Sequence, residues 1–97
     1  MPIRKDWIEY NTANVTQVIE KDGVVELGDA EKNIVFIGSG PNLRKLLQEH
    51  MDGAERFEKA KFFRYEEVFM YTMRESELIQ QHTRLNKKLP EYNEELF

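Results

Sequence analysis

Two short apolar segments separated by turn-forming residues place the strongest constraint on how this chain can fold. Residues 24–27 (VVEL) are rich in β-branched side chains, and residues 34–37 (IVFI) are entirely apolar. The six residues between them (GDAEKN) are typical of a turn. The pattern predicts a β-hairpin in which the two segments pair as antiparallel strands.

Regular patterns after the hairpin predict two helices and one more strand. Residues 43–51 carry apolar side chains at helical spacing and predict a helix that stops at Asp52-Gly53. Residues 60–71 are rich in aromatic side chains, lack Gly and Pro, and predict a third strand. Residues 74–88 predict a long helix that ends before Pro90. Its expected inward side chains are Leu78, Ile79, His82 and Leu85.

The length predicts one domain over residues 1–97, because no linker-like segment interrupts the chain. Residues 6–20 show a weak helical pattern, so we expect residues 1–22 to form an N-terminal helical extension. Residues 23–93 form the expected core, and residues 90–97 a short turn or helix. This order of elements predicts an α+β fold with layers, in which helices flank a three-stranded, mostly antiparallel sheet.

The composition excludes several classes of function. The chain has no cysteine, which excludes disulfides, thiolate zinc sites and cysteine nucleophiles, and fits a reducing, cytoplasmic location. No apolar run approaches the length of a membrane-spanning helix, so we expect no membrane association. A net charge of −4 is the wrong sign for a protein that only grips phosphate backbones. Any DNA or RNA site is therefore expected to be local.

Five short signatures follow one another along the chain. They are GVV at 23–25, VFIGS at 35–39, NLRKLL at 42–47 with His50 after it, RE at 74–75 with LI at 78–79, and PEYN at 90–93. In this order the chain resembles the GIY-YIG nuclease superfamily, which includes homing endonucleases and the N-terminal nuclease domain of the excision-repair incision protein. The resemblance covers residues 23–93 and implies a GIY-YIG-like arrangement of sheet and helices.

The resemblance also implies a set of catalytic positions, several of which lack the expected group. The superfamily cleaves phosphodiesters with two tyrosines, an arginine, a glutamate that binds a divalent metal, and a supporting asparagine. The tyrosine positions fall on Val25 and Phe36, and the arginine position falls on Leu46. Glu75 matches the metal-binding glutamate, which implies Mg²⁺ or Mn²⁺ as a cofactor. A single carboxylate is nevertheless a poor magnesium site by itself.

The remaining candidates are polar residues near these positions. Lys45 and His50 match polar positions that some members use, so with Glu75 they are the candidate catalytic residues. The candidate binding residues are Gly38, Ser39, Arg44 and Asn93. Simpler interpretations exist for two of them, because a glutamate near a helix start and a histidine near a helix end both suit the helix dipole.

Loss of several groups that act together in one site is not recovered by those that remain. The sequence therefore predicts a catalytically impaired domain that serves as an interaction module for DNA, RNA or a protein partner. One alternative is a metal-dependent DNA endonuclease in which His50, Lys45 or Tyr65 takes over the missing roles. A second alternative is a structural protein or homodimer with no nucleic-acid role, which the acidic charge favours.

Overall fold

The computed structural model describes residue 3, residues 5–51 and residues 57–96. These residues contain four strands and four helices. In chain order they are β1 (Ile8–Glu9), α1 (Thr12–Val15), β2 (Gly23–Gly28), β3 (Ile34–Gly40), α2 (Leu43–Glu49), β4 (Phe62–Glu67), α3 (Tyr71–Asn86) and α4 (Glu91–Leu96). None of the helices in this part of the chain has the length and apolar character needed to cross a membrane.

The strands form one antiparallel sheet in the order β1-β4-β2-β3. The predicted hairpin is confirmed, because β2 and β3 pair from Gly23 opposite Gly40 to Gly28 opposite Ile34. On its other side β2 pairs with β4. β2 and β4 are the inner strands of the sheet, and because all six residues of β2 are buried we call β2 the central strand. The domain has the predicted α+β class, with an open sheet and helices.

Helices cover the two faces of the sheet with separate hydrophobic cores. On the first face, side chains of β2, β3 and β4 pack with those of α1 and α2; the set includes Val25, Leu27, Phe36, Phe63, Val15, Leu43 and Leu47. On the second face, the sheet packs against α3 through Val24, Ile37 and Leu78. Alternate residues of a strand point to opposite faces, so β2 and β3 each contribute to both cores.

The N-terminal segment corrects two predictions. Residues 8–9 form β1, which pairs with β4 through Ile8 opposite Phe63, and among the described residues before β2 only Thr12–Val15 is helical. The sheet of the described residues therefore has four strands rather than three, and the expected helical extension over residues 1–22 is replaced by an edge strand and one helical turn. A two-residue strand is too short to have a periodicity of its own, and its backbone hydrogen bonds to β4 outweigh a weak helical pattern.

The long helix α3 begins at Tyr71 and extends over 16 residues. As expected, the side chain of Leu78 in this helix is buried, and those of Ile79 and His82 are half-buried. The inward prediction for Leu85 is wrong, because that side chain is 76% exposed. Leu85 lies two turns after Leu78 on the same side of the helix, so nothing in the described residues covers that side at the last turn. The helix predicted over residues 43–51 is α2, which ends at Glu49, two residues earlier than predicted. The predicted stop at residues 52–53 lies outside the described residues.

The second face carries a buried carboxylate at its centre. Glu26 on β2 is 2% exposed, and its Oε1 accepts a hydrogen bond of 2.7 Å from Nε of Arg64 on β4. The Arg64 guanidinium lies 4.2 Å from the centroid of the Trp7 ring, and Nη1 donates to the backbone oxygen of Lys5 at 3.3 Å. Arg64 thus connects the N-terminal segment to the central strand. Burial raises the pKa of Glu26, although the hydrogen bond and charge of Arg64 act in the opposite direction.

We expect Glu26→Gln to change how stability depends on pH. Because the pKa of Glu26 is higher in the folded chain than in the unfolded chain, the folded chain holds the extra proton between those two values. The native protein therefore loses stability as the pH rises from the ordinary carboxyl range through the raised pKa, and the variant lacks this loss. Urea unfolding at a series of pH values measures the difference.

The matched control is Glu31→Gln, which alters an exposed carboxylate in the β2–β3 turn. The free energy of unfolding of the Glu26 variant, relative to that of the native protein, should increase with pH. A difference that stays constant across the pH range would contradict the raised pKa of Glu26.

Candidate functional site

The residues that the sequence analysis selected lie around β3, in three separate environments. β3 is an edge strand of the sheet, so it has two faces and one free edge. Val25, Phe36 and His50 lie on the first face, and Glu75 lies on the second face. Asn93 lies at the free edge.

The positions that match catalytic groups of the superfamily are packing positions on the first face. Val25 is 1% exposed and Phe36 is 4% exposed, both within the core, while Leu46 is half-buried against it. The Phe36 ring covers Gly38 so closely that a Cβ atom added there would lie 2.5 Å from the ring. Gly38 is therefore required for the packing of Phe36.

His50 belongs to an aromatic cluster made of Phe36, His50, Phe57 and Tyr92. The Phe57 ring stacks between His50, at 4.3 Å, and Tyr92, at 4.2 Å between ring centroids. Phe36 contacts both Phe57 and His50 at about 5 Å. The Tyr92 hydroxyl accepts a hydrogen bond of 3.0 Å from the backbone N–H of Lys59. These contacts place the imidazole of His50 in a packing role.

The two basic candidates on α2 have different environments. Asn42 caps this helix, its side-chain oxygen accepting a hydrogen bond of 3.0 Å from the backbone N–H of Lys45, and the Lys45 side chain is exposed. Arg44 donates from Nε to the backbone oxygen of Val18 at 2.8 Å and pairs with Glu20 at 3.4 Å. Arg44 therefore connects α2 to the segment that follows α1.

Glu75 contacts the second face through Ser39, whose hydroxyl donates to its Oε1 at 2.9 Å. Ser39 on β3, Val24 on β2 and Glu66 on β4 lie opposite one another and form one row across the sheet. At the other end of this row, Arg74 makes a two-bond contact with the Glu66 carboxylate, at 2.7 and 3.1 Å, which raises the pKa of Arg74. The first turns of α3 are thus attached to the sheet at both ends of the row.

The three candidate catalytic residues are not brought together. Glu75 lies on the second face, whereas His50 contacts Phe36 on the first face and Lys45 lies on α2, which covers that same face. No group of three His, Asp or Glu side chains within the described ranges is arranged to hold a metal ion. One carboxylate that already accepts a hydrogen bond from a serine does not fit the donor set that a divalent metal requires.

Asn93 closes the free edge of β3. Its Oδ1 accepts from the backbone N–H of Ile37 and its Nδ2 donates to the backbone oxygen of Ile37, each at 2.9 Å. The side-chain amide therefore makes the same pair of hydrogen bonds that a residue of a neighbouring antiparallel strand makes. Asn93 is 3% exposed, and α4 positions it.

A family model described as "Domain of unknown function (DUF7508)" matches residues 1–84. The chain belongs to this family. The matched residues of the DUF7508 domain include all four strands and most of α3. Asn93 and α4 follow the matched residues. No curated protein matches the chain.

Two features of the structure were not predicted from the sequence. The first is the buried pair of Glu26 and Arg64, for which a signal existed, since an acid within the apolar segment 24–27 needs a partner. The second is the stack of Phe57 on Tyr92, which joins residues far apart in the chain and leaves no periodic pattern.

Tyr65 is the third residue that the sequence offered for a missing catalytic role. The Nζ atom of Lys5 lies 4.9 Å from the centroid of its ring.

We expect substitutions of Asn93 to lower stability by an amount that depends on charge. Asn93→Leu should lower the free energy of unfolding by about 2 kcal/mol, because a buried N–H and C=O of Ile37 lose their partners. Asn93→Asp should lower it further at neutral pH, because a buried carboxylate then faces the Ile37 carbonyl oxygen. The additional loss should shrink in mild acid. Urea unfolding of both variants measures these effects.

Asn14→Asp is the matched control, because the Asn14 amide also donates to a backbone oxygen, that of Glu9 at 2.9 Å, but in an exposed position. Equal losses for the Asn93 and Asn14 aspartate variants would mean that Asn93 does not close the edge of β3.

Proposed function

We propose that this chain is a GIY-YIG-like domain that has lost phosphodiester cleavage and serves as an interaction module. The proposal rests on the separation of Glu75, on the second face, from His50 and the packed Phe36 on the first face. Hydrolysis of a phosphodiester requires a nucleophile, a compensating cation and stabilisation of the leaving oxygen around one phosphorus atom. Groups on opposite faces of a sheet cannot surround one phosphorus atom.

A protein partner is supported by exposed apolar side chains at the β4–α3 corner, which we define as Phe69, Met70 and Met73. Their exposed fractions are 83%, 58% and 64%. Met70 is the residue that precedes α3, and Met73 lies in the first turn of that helix, so the two exposed side chains are close to each other in the chain. Large apolar side chains that are exposed together are typical of protein interaction sites.

The charges beside the β4–α3 corner favour a basic partner. A cavity of about 210 Å³ is lined by Phe69 and by the acids Asp22 and Glu67, against Lys21. Glu20 also lines it, but its carboxylate pairs with Arg44. This acidic surface repels a phosphate backbone and complements a protein segment that has apolar anchors and lysines or arginines beside them. The overall charge of −4 acts in the same direction.

We expect no metal-dependent nicking of supercoiled plasmid by the native protein in Mg²⁺ or Mn²⁺. Glu75→Gln is the matched comparison, because it removes the one carboxylate at the position of the metal ligand and keeps its size. Agarose gels that resolve supercoiled from nicked plasmid give the readout. Nicking by the native protein that is lost in the Glu75 variant would identify an endonuclease with a rebuilt site and overturn the proposal.

We expect a basic amphipathic peptide of lysine and leucine to bind at the β4–α3 corner. Methyl NMR of the labelled methionines measures this, because Met70 and Met73 lie at the corner whereas Met51 is packed against the first-face core. The peptide should shift the Met70 and Met73 signals and leave the Met51 signal unchanged. Phe69→Ser should weaken binding by about tenfold, equivalent to about 1.4 kcal/mol.

Leu85→Ser is the control for the peptide experiment, because Leu85 is exposed to a similar degree at the opposite end of α3. An oligothymidylate provides the nucleic-acid comparison. Salt-sensitive shifts caused by the oligothymidylate, with none caused by the peptide, would replace the protein partner with a nucleic acid.

A further inference from the structure

A second cavity, separate from the β4–α3 corner, lies between the β2–β3 turn and the junction of α3 with α4. Its volume is about 450 Å³. The polar side chains that line it include Asp29, Lys32, Asn33, His82, Lys88 and Glu91. We call it the turn cavity. None of the residues that the sequence analysis selected as site residues lines it.

The turn cavity has more positive than negative charge. Glu91 pairs with Lys59 at 3.0 Å, and one oxygen of Asp29 accepts the backbone N–H groups of Glu31 and Asn33, both at 2.9 Å. Within the described part of the chain no carboxylate pairs with Lys32 or Lys88, and the Lys32 ammonium lies 5.3 Å from the centroid of the Phe62 ring. The two ammonium groups therefore outweigh Asp29, so this acidic protein has a locally positive cavity.

His82 adds a donor to the turn cavity. The side-chain nitrogen of Asn86 lies 3.3 Å from Nδ1 of His82 and also donates to the His82 backbone oxygen at 3.0 Å. An amide nitrogen only donates, so Nδ1 accepts and the neutral ring carries its proton on Nε2. Burial lowers the pKa of His82, and the charge of Lys88 lowers it further. The ring therefore experiences the positive charge that an anion in the cavity would compensate.

We propose that the turn cavity binds the phosphate group of a small phosphomonoester, with Lys88, Lys32 and the Nε2–H group of His82 as its donors. A phosphomonoester carries close to two negative charges at neutral pH, which suits two ammonium groups and an imidazole. A cavity of about 450 Å³ is within the range of small-molecule sites and leaves room for an organic group beside the phosphate. Lys32, His82 and Lys88 are not among the positions that match catalytic groups of the superfamily, so the site does not depend on the fate of cleavage activity.

The ring signals of the two histidines test the proposal directly. We measure the pKa of His82 by NMR on the full chain, with inorganic phosphate, glycerol phosphate or oligothymidylate, and with sodium chloride at matched ionic strength. The ring signals of His50 serve as the internal reference. Inorganic phosphate and glycerol phosphate should each raise the pKa of His82 by about one unit. The ring signals of His50, which does not line the turn cavity, should not respond to either phosphate.

Lys88→Gln separates a specific site from general charge screening. Lys88 is exposed, so the variant should fold, and removal of its charge should raise the pKa of His82 before any anion is added. The further rise caused by phosphate should then fall to less than half. Lys87→Gln is the matched control, because Lys87 is the neighbouring exposed lysine but does not line the cavity.

Each outcome of these measurements either supports or overturns the proposal. A rise confined to His82, caused by both small phosphates and reduced in the Lys88 variant but not in the Lys87 variant, supports the site. A response to oligothymidylate alone would overturn it in favour of a phosphodiester chain. Equal effects of phosphate and sodium chloride, or equal responses of both lysine variants, would show that no site exists.

Discussion

The central strand β2 has no exposed surface, and the need to pair the one charge within it determines much of the second face. Glu26 lies between two strands and beneath a helix layer, where a carboxylate requires a cation and a hydrogen bond. Arg64 supplies both from the neighbouring strand, and its flat guanidinium is covered by Trp7. One buried charge therefore links β2, β4 and the N-terminal segment, whose described residues add a two-residue strand to the sheet.

The features that the sequence predicted well are those that depend on nearby residues. The turn-forming residues between 24–27 and 34–37 indicate where the two strands of the hairpin end and begin. The spacing of the leucines after Pro41 indicates which side of α2 is buried. β1 could not be predicted in this way, because its residue Ile8 pairs with Phe63, which is far away in the sequence. Leu85 has the spacing of an inward residue, but a periodic pattern cannot indicate where a helix extends past the layer beneath it.

The candidate site illustrates a different limit. Phe36 and Ser39 are an odd number of residues apart on one strand, so the sequence alone already places their side chains on opposite faces. It does not indicate that α2 covers the face of Phe36 and α3 the face of Ser39, which decides where Glu75 lies. Glu75, Ser39 and Gly38 each make a contact that holds β3 to its surroundings. These positions therefore have structural roles that are separate from the chemistry of cleavage.

The side-chain amide of Asn93 affects whether a second copy of this protein can pair with the edge of β3. An uncovered edge strand is a template on which a second chain can build, and such growth requires an unbroken series of hydrogen bonds along the edge. Ile37 is the middle residue of β3, so one side chain there divides the seven-residue edge into two short stretches. Cleavage of the chain just before α4 would remove that barrier and leave β3 open to strand exchange and fibril-like growth.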